Sequence, residues 1–159
     1  MLAFGYPWQA GIVAAASQVL DGADGQLARL TGRSTRAGAF LDSVLDRYAD
    51  LAMVAGTFFY LLDVPLPYHV TPETLFAIGF LALAGSASVS YTTARAAELG
   101  LGLGRPTLAS KGTRMTVMVL CAVAAAAWEP APLVALVYLA VHPNAAVIWR
   151  VVRAAKHVK

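Results

Sequence analysis

Five long apolar runs, separated by short polar segments, constrain the fold of this chain more than any other feature of its sequence. The runs cover about residues 4–29, 38–62, 72–97, 112–128 and 131–152. Each is close to the roughly 17 to 25 residues that a helix needs to cross a bilayer. The segments between them favour turns because they contain Gly, Pro, Ser and Thr. We therefore predict an all-α fold, a polytopic transmembrane helix bundle with about five spans.

The composition agrees with a membrane protein. Hydrophobic residues make up 58% of the chain and charged residues 13%, whereas an ordinary soluble domain has about a quarter charged residues. The single cysteine, Cys121, excludes an internal disulfide bond. Because the basic residues are scattered along the chain, we interpret the net charge of +3 as membrane topology. We expect the lipid bilayer as a partner and no nucleic acid.

The positions of the Lys and Arg residues predict the orientation of the spans. They lie near the first interhelical loop, near the third, and at the C-terminal end, and the second and fourth loops contain none. By the positive-inside rule the first and third loops and the C-terminus are cytoplasmic. The chain then opens at Met1 almost directly into a helix that runs inward, which suggests that a preceding helix is absent or lies on another chain.

Four aspartates flank the first loop. Asp21 and Asp24 are three residues apart, and Asp42 and Asp46 are four apart, so each pair lies on one face of its own helix. The short loop between the two helices makes them candidates for antiparallel neighbours. All four carboxylates could then converge near the cytoplasmic end of the bundle.

Four such carboxylates need positive charge nearby, because each ionised residue within a membrane helix costs on the order of 2.5 to 3.5 kcal/mol. Arg29 and Arg47 neutralise part of this charge at most. Hard divalent cations such as Mg²⁺ or Mn²⁺ prefer carboxylate oxygens and keep positions free for phosphates. Two alternatives stay open: the aspartates are helix caps and solvated interfacial charges, or they form a proton or ion relay. A translocator should carry polar residues through the outer half of the bundle, where segments such as "LAMVAGTFFYLL" are almost wholly apolar.

The aspartates belong to a longer pattern, which reads Asp21-x2-Asp24-Gly25-x2-Ala28-Arg29-x8-Gly38-x3-Asp42-x3-Asp46. This pattern resembles the complete signature of the CDP-alcohol phosphotransferase family. The resemblance implies a six-helix membrane enzyme, commonly a homodimer, that transfers a phosphatidyl-type group from a CDP-linked donor to an alcohol and releases CMP. Residues 1–159 would then form one membrane domain of this family that lacks its first helix.

The resemblance also implies roles for single residues. The four aspartates of the pattern, Asp21, Asp24, Asp42 and Asp46, would bind two divalent metal ions, Mg²⁺ or Mn²⁺. Asp46 would in addition be the general base. The nucleotide-binding pocket would be lined by Gly25, Ala28, Arg29 and Gly38. A carboxylate within hydrogen-bond reach of the acceptor hydroxyl can take its proton as the new bond forms.

A second pair of segments points to the acceptor. "SYTTARAAELGL" at residues 90–101 and "SKGTR" at residues 110–114 are similar to the branch of the family that uses inositol phosphate. The resemblance implies that Arg95, Lys111 and Arg114 bind the phosphate of a phosphorylated alcohol, for which their charges are suited. Thr93 stands where this branch often has a basic residue, so glycerol 3-phosphate stays open as the acceptor. A non-catalytic remnant of the family is a further alternative.

Overall fold

A computed structural model describes residues 1–31, 35–67, 70–102 and 110–157, together with most of their side chains. A short 3-10 helix at Leu2–Phe4 precedes five α-helices: α1 (Pro7–Leu30), α2 (Arg36–Leu62), α3 (Pro72–Glu98), α4 (Lys111–Ala124) and α5 (Ala131–His157). In the described parts of the chain the fold is therefore all-α, as predicted. The first and last residues of the five helices lie within a few residues of the bounds of the five apolar runs.

Two of these helices are long and apolar enough to cross a bilayer within the part of the chain that the structure describes. They cover Pro72–Glu98 and Ala131–Lys156, which are α3 and nearly all of α5. The predicted number of five spans therefore stays a prediction. The structure shows an all-helical chain with two candidate spans in its described part.

Hydroxyl side chains fix where three of the helices begin. The side chain of Thr35 accepts a hydrogen bond from the backbone N–H of Gly38, that of Thr71 from Thr74, and that of Ser110 from Thr113. The first N–H groups of a helix have no partner within the helix, and a capping oxygen satisfies one of them. The Ser110 cap sets the first turn of α4, which carries Lys111 and Arg114.

Helices α3 and α5 form the most extensive helix pair. Gly85 on α3 allows this close approach, because a Cβ atom there would lie 2.5 Å from the Asn144 amide nitrogen. The amide of Asn144 donates hydrogen bonds to the carbonyl oxygens of Leu81 on α3, at 2.9 Å, and Ala140 on α5, at 2.8 Å. In a bilayer such an interhelical bond has no water to compete with it. These contacts fix α3 and α5 relative to each other.

The other helices pack around this pair. Val54 of α2, Met118 of α4 and Leu139 of α5 belong to one buried apolar cluster. Helix α1 makes its extensive contacts with α4, where a Cβ at Gly11 would lie 2.9 Å from the Val123 side chain. The neighbour expected for α1 from the short loop was α2, which in the described residues packs instead against the 3-10 helix, α3 and α5.

Many large apolar side chains face outward. They include Val19, Leu30, Phe40 and Phe80, each more than half exposed. Exposed apolar surface of this extent is typical of proteins that contact lipid or other proteins. It agrees with the high apolar content from which the membrane bundle was predicted.

Candidate active site

The polar side chains of the bundle meet at one end. The N-terminal half of α2, the first turn of α4 and the C-terminal parts of α3 and α5 meet there, as shown by contacts of Asp46 with Lys111, Arg47 with Ser90, and Arg150 with Val89. The predicted acceptor residues on α3 and α4 therefore share an end of the bundle with the predicted metal ligands on α2. The described residues predicted to bind the acceptor and the metal thus lie in one region of the bundle.

Two of the four motif aspartates are described in full. Asp42 is exposed and Asp46 is partly exposed, and they lie one turn apart on α2. The Lys111 ammonium donates a hydrogen bond to Asp46 Oδ1 and forms an ion pair with it. The residue predicted to hold the acceptor phosphate thus contacts the residue predicted to act as base.

The motif residues on α1 have a described backbone only. Helix α1 continues through them, and the side chains of Asp21, Asp24, Gly25, Ala28 and Arg29 lie outside the described residues. Their convergence with α2 therefore stays a prediction. Gly38 is described: it donates its N–H to the Thr35 hydroxyl, and an added Cβ would lie 3.0 Å from that oxygen. This tight capping turn is a reason for glycine at position 38 besides the predicted nucleotide contact.

The carboxylate oxygens of Asp42 and Asp46 are ligands that a hard divalent cation prefers. Asp42 and Asp46 present carboxylate oxygens on consecutive turns of one helix face, and the cationic Lys111 group already lies against Asp46. Among the described residues no group of three or more His, Cys, Asp or Glu side chains is close enough to hold a metal ion. A complete metal site would therefore need the α1 carboxylates, which belong to the same motif.

A buried ion-pair network lies directly behind Asp46. The Arg114 guanidinium, 2% exposed, donates to Asp50 Oδ2 at 2.9 Å, and Arg47 reaches the same oxygen at 2.9 Å. Arg47 also donates to the hydroxyl of Ser90 on α3. Arg114 was predicted to bind the acceptor phosphate directly. The structure pairs its guanidinium with a carboxylate in the interior, and its contact with the acceptor phosphate stays a prediction.

Arg95, the third predicted acceptor residue, lies on the last turn of α3. Its guanidinium is about half exposed and pairs with Glu98 at 2.6 Å. It is accessible to a ligand at the end of the bundle, although it has no described contact with Lys111 or Arg114. The prediction that Arg95 binds phosphate is compatible with this position.

Sequence reasoning missed two functional candidates. Asp50 lies four residues after Asp46, so the helix face that carries Asp42 and Asp46 continues to Asp50. This spacing could have revealed Asp50 from the sequence.

The second candidate is Arg150, whose position in the sequence was used for topology alone. Its guanidinium donates to the hydroxyls of Thr92 and Thr93, both at 2.9 Å, and to the carbonyl oxygen of Val89. Only the tertiary packing of α5 on α3 brings this cation to Thr93.

Comparisons with known proteins give a consistent result. The archaetidylinositol phosphate synthase of Pyrococcus horikoshii is 37% identical over 109 residues, which cover 69% of this chain and 52% of the relative. The phosphatidylinositol phosphate synthase of Streptomyces avermitilis is 35% identical over 102 residues, 64% of this chain and 40% of the relative. The bifunctional IPC transferase and DIPP synthase of Thermococcus kodakarensis is 41% identical over 86 residues, 54% of this chain and 18% of the relative.

The chain thus spans about half the length of the first of these relatives and less of the other two. The sequence pattern of the family described as CDP-alcohol phosphatidyltransferase matches residues 1–155, nearly the whole chain. This match confirms the resemblance drawn from the aspartate motif and the prediction of an enzyme of that family. The chain belongs to the CDP-alcohol phosphatidyltransferase family.

Proposed function

We propose that the protein transfers a phosphatidyl-type group from a CDP-linked lipid to a phosphorylated alcohol and releases CMP. One observation carries the proposal beyond family membership: the Lys111 ammonium lies on the carboxylate of Asp46. A phosphate held by Lys111 would bring the rest of the acceptor to the residue that takes the proton.

In this reaction a hydroxyl oxygen of the acceptor attacks the phosphorus that carries the lipid group. The bond from this phosphorus to the bridging oxygen of the diphosphate breaks, and CMP leaves with the electron pair of that bond. The proton of the hydroxyl passes to Asp46, which acts as the general base. The acceptor oxygen and the lipid group are then joined through this phosphorus in a phosphodiester.

The ion pair connects acceptor binding to this proton transfer. An acceptor phosphate competes with Asp46 for the Lys111 ammonium, because both are anionic oxygen ligands of the same cation. Binding of the acceptor thus weakens the ion pair, and an Asp46 oxygen released by Lys111 can then accept the hydroxyl proton. A carboxylate that is paired before the acceptor arrives is less available to activate water.

The divalent metals belong to the proposal as well. Asp21, Asp24, Asp42 and Asp46 would hold two ions, Mg²⁺ or Mn²⁺, which when bound would neutralise charge on the diphosphate and on the departing CMP. In this proposal two of the carboxylates come from α1 and two from α2. On the nucleotide side, we propose that Gly25, Ala28, Arg29 and Gly38 line the cytidine diphosphate pocket.

Inositol phosphate is our first choice of acceptor. The names of two relatives, an archaetidylinositol phosphate synthase and a phosphatidylinositol phosphate synthase, support this choice together with Arg95 and Lys111 at the active-site end. Arg150 adds a third cation, next to Thr93, the position that first argued for glycerol 3-phosphate. Glycerol 3-phosphate is therefore the second choice. We further propose that this end of the bundle faces the cytoplasm and that the protein acts as a homodimer.

Release of CMP tests the proposed reaction. The protein in detergent is incubated with a CDP-lipid, Mg²⁺ and one acceptor at a time, in matched pairs of inositol phosphate with inositol and glycerol 3-phosphate with glycerol. We expect CMP release with a phosphorylated acceptor and little with its unphosphorylated partner. Equal rates within each pair would contradict the assignment of Lys111, and no CMP with any acceptor would contradict the reaction.

A further inference from the structure

Asp50 is a buried carboxylate outside the aspartate motif. It is 6% exposed, and two guanidinium groups, those of Arg114 and Arg47, share its Oδ2 atom. The apolar side chains of Val54 and Met118 line the space beside it. A buried charge in such surroundings is stable only while it stays paired, so the Asp50 carboxylate strongly resists separation from its partners.

The pairs of Asp50 connect three helices. Arg114 lies on α4, Asp50 and Arg47 lie on α2, and Arg47 donates in turn to Ser90 on α3. The carboxylate thus contacts α4 directly through Arg114 and is linked to α3 through Arg47. The first turn of α4 cannot shift along α2 without breaking the bond between Asp50 and Arg114.

A second ion pair between the same two helices lies one turn nearer the end of the bundle. On α2, Asp46 and Asp50 are four residues apart, and on α4 the residues that meet them, Lys111 and Arg114, are three apart. Each pair of residues lies on one face of its helix. The outer ion pair is accessible to solvent and the inner one is buried. The buried ion pair thus joins α2 and α4 one turn below the exposed one.

We infer that Asp50 is a positioning residue, which holds Arg114 so that α4 presents the Lys111 ammonium at Asp46. Asp50 touches neither substrate and acts through α4. This inference deepens the proposed function and rests on it for the role of Lys111. It makes Asp50 the residue that determines where the Lys111 ammonium lies in the acceptor site.

A direct phosphate-binding role for Arg114 makes the opposite prediction. If Arg114 itself bound the acceptor phosphate, removal of the Asp50 charge would release the guanidinium and leave acceptor binding unchanged or tighter. If Asp50 positions α4, the same change weakens acceptor binding, because Lys111 is no longer held at Asp46. The variant Asp50→Asn separates the two roles.

The experiment measures both the kinetics and the position of α4. Steady-state assays of Asp50→Asn give the KM of the acceptor and of the CDP-lipid. Spin labels on Tyr48→Cys and Thr116→Cys, exposed positions of α2 and α4, in a Cys121→Ala background give the interhelical distance distribution. Asp63→Asn removes an exposed carboxylate at the other end of α2 and is the matched control.

We expect Asp50→Asn to raise the acceptor KM by about tenfold, because small misplacements of a binding group are costly. The donor KM should stay unchanged, the distance distribution should broaden, and Asp63→Asn should match the unaltered protein in each measurement. An unchanged or lower acceptor KM, or an unchanged distance distribution, overturns the inference.

A second variant covers the case in which Asp50→Asn does not fold. Asp50→Glu keeps the charge and adds one methylene, so it should displace α4, lengthen the mean distance and raise the acceptor KM by a smaller factor. Unchanged values in this variant overturn the inference. If the unaltered protein transfers no group to any acceptor, the proposed function fails, and the distance measurement alone decides whether Asp50 positions α4.

Discussion

Replacing Lys111 by Met tests the acceptor site most directly. Met keeps an unbranched apolar side chain and removes the ammonium that lies on Asp46. A hydrogen bond to a charged group contributes about 1.5 to 3 kcal/mol. Because the Lys111 side chain is 41% exposed, solvent screening favours the lower end of this range. A loss of about 1.5 kcal/mol corresponds to a factor of about ten in affinity.

We therefore expect Lys111→Met to raise the KM of the phosphorylated acceptor by about tenfold and to leave the KM of the CDP-lipid unchanged. The assay follows CMP release while one substrate is varied at saturating levels of the other. Lys156→Met is the matched control, since Lys156 is exposed near the end of α5. An equal rise in the donor KM, or a rise as large in the control, would refute the reasoning.

Three further predictions concern the metal, the topology and the helix packing. Exhaustive chelation should abolish CMP release and added Mg²⁺ should restore it, while Asp46→Asn should lower turnover more than nucleotide binding; full release after chelation would argue against a metal. In a cysteine-free background, Thr35→Cys and Asp63→Cys should react with an impermeant thiol reagent from opposite sides of a vesicle, and labelling from one side would contradict the proposed orientation. Gly85→Ala should lower the melting temperature, because overpacking reduces the free energy of unfolding by about 1 to 3 kcal/mol. Gly112→Ala should leave the melting temperature unchanged, because the added Cβ has no neighbour within 4 Å. Equal melting temperatures of the two variants would show that the contact between α3 and α5 does not require glycine at position 85.

The helices could be predicted from the sequence because their signals are local. Apolar runs of fixed length and capping residues such as Thr71 and Ser110 define each segment without reference to the rest of the chain. The predicted run of 72–97 and the helix Pro72–Glu98 differ by one residue at one end. The run at 112–128 ends later than the observed helix at Ala124, because its apolar alanines continue into a turn that hydropathy cannot detect.

The site was only partly predictable, for a related reason. The pair Asp42 and Asp46 and its place at the end of α2 follow from spacing within one helix. The partners of these residues depend on how helices pack, so neither the contact of Lys111 with Asp46 nor the burial of Arg114 could be derived from the sequence. Arg114 looked like an accessible cation because it lies near the first turn of a helix. It is buried because α4 turns that face toward Asp50 on α2.

The bond from Asn144 to the carbonyl oxygen of Leu81 has a consequence for the biosynthesis of the protein. Helix α3 emerges from the ribosome before α5, and α4 is made between them. The face of α3 around Gly85 therefore has no α5 to pack against until Asn144 has been synthesised. Docking of α5 then covers this face of α3. A chain that ended before Asn144 would leave the Gly85 face of α3 without this partner.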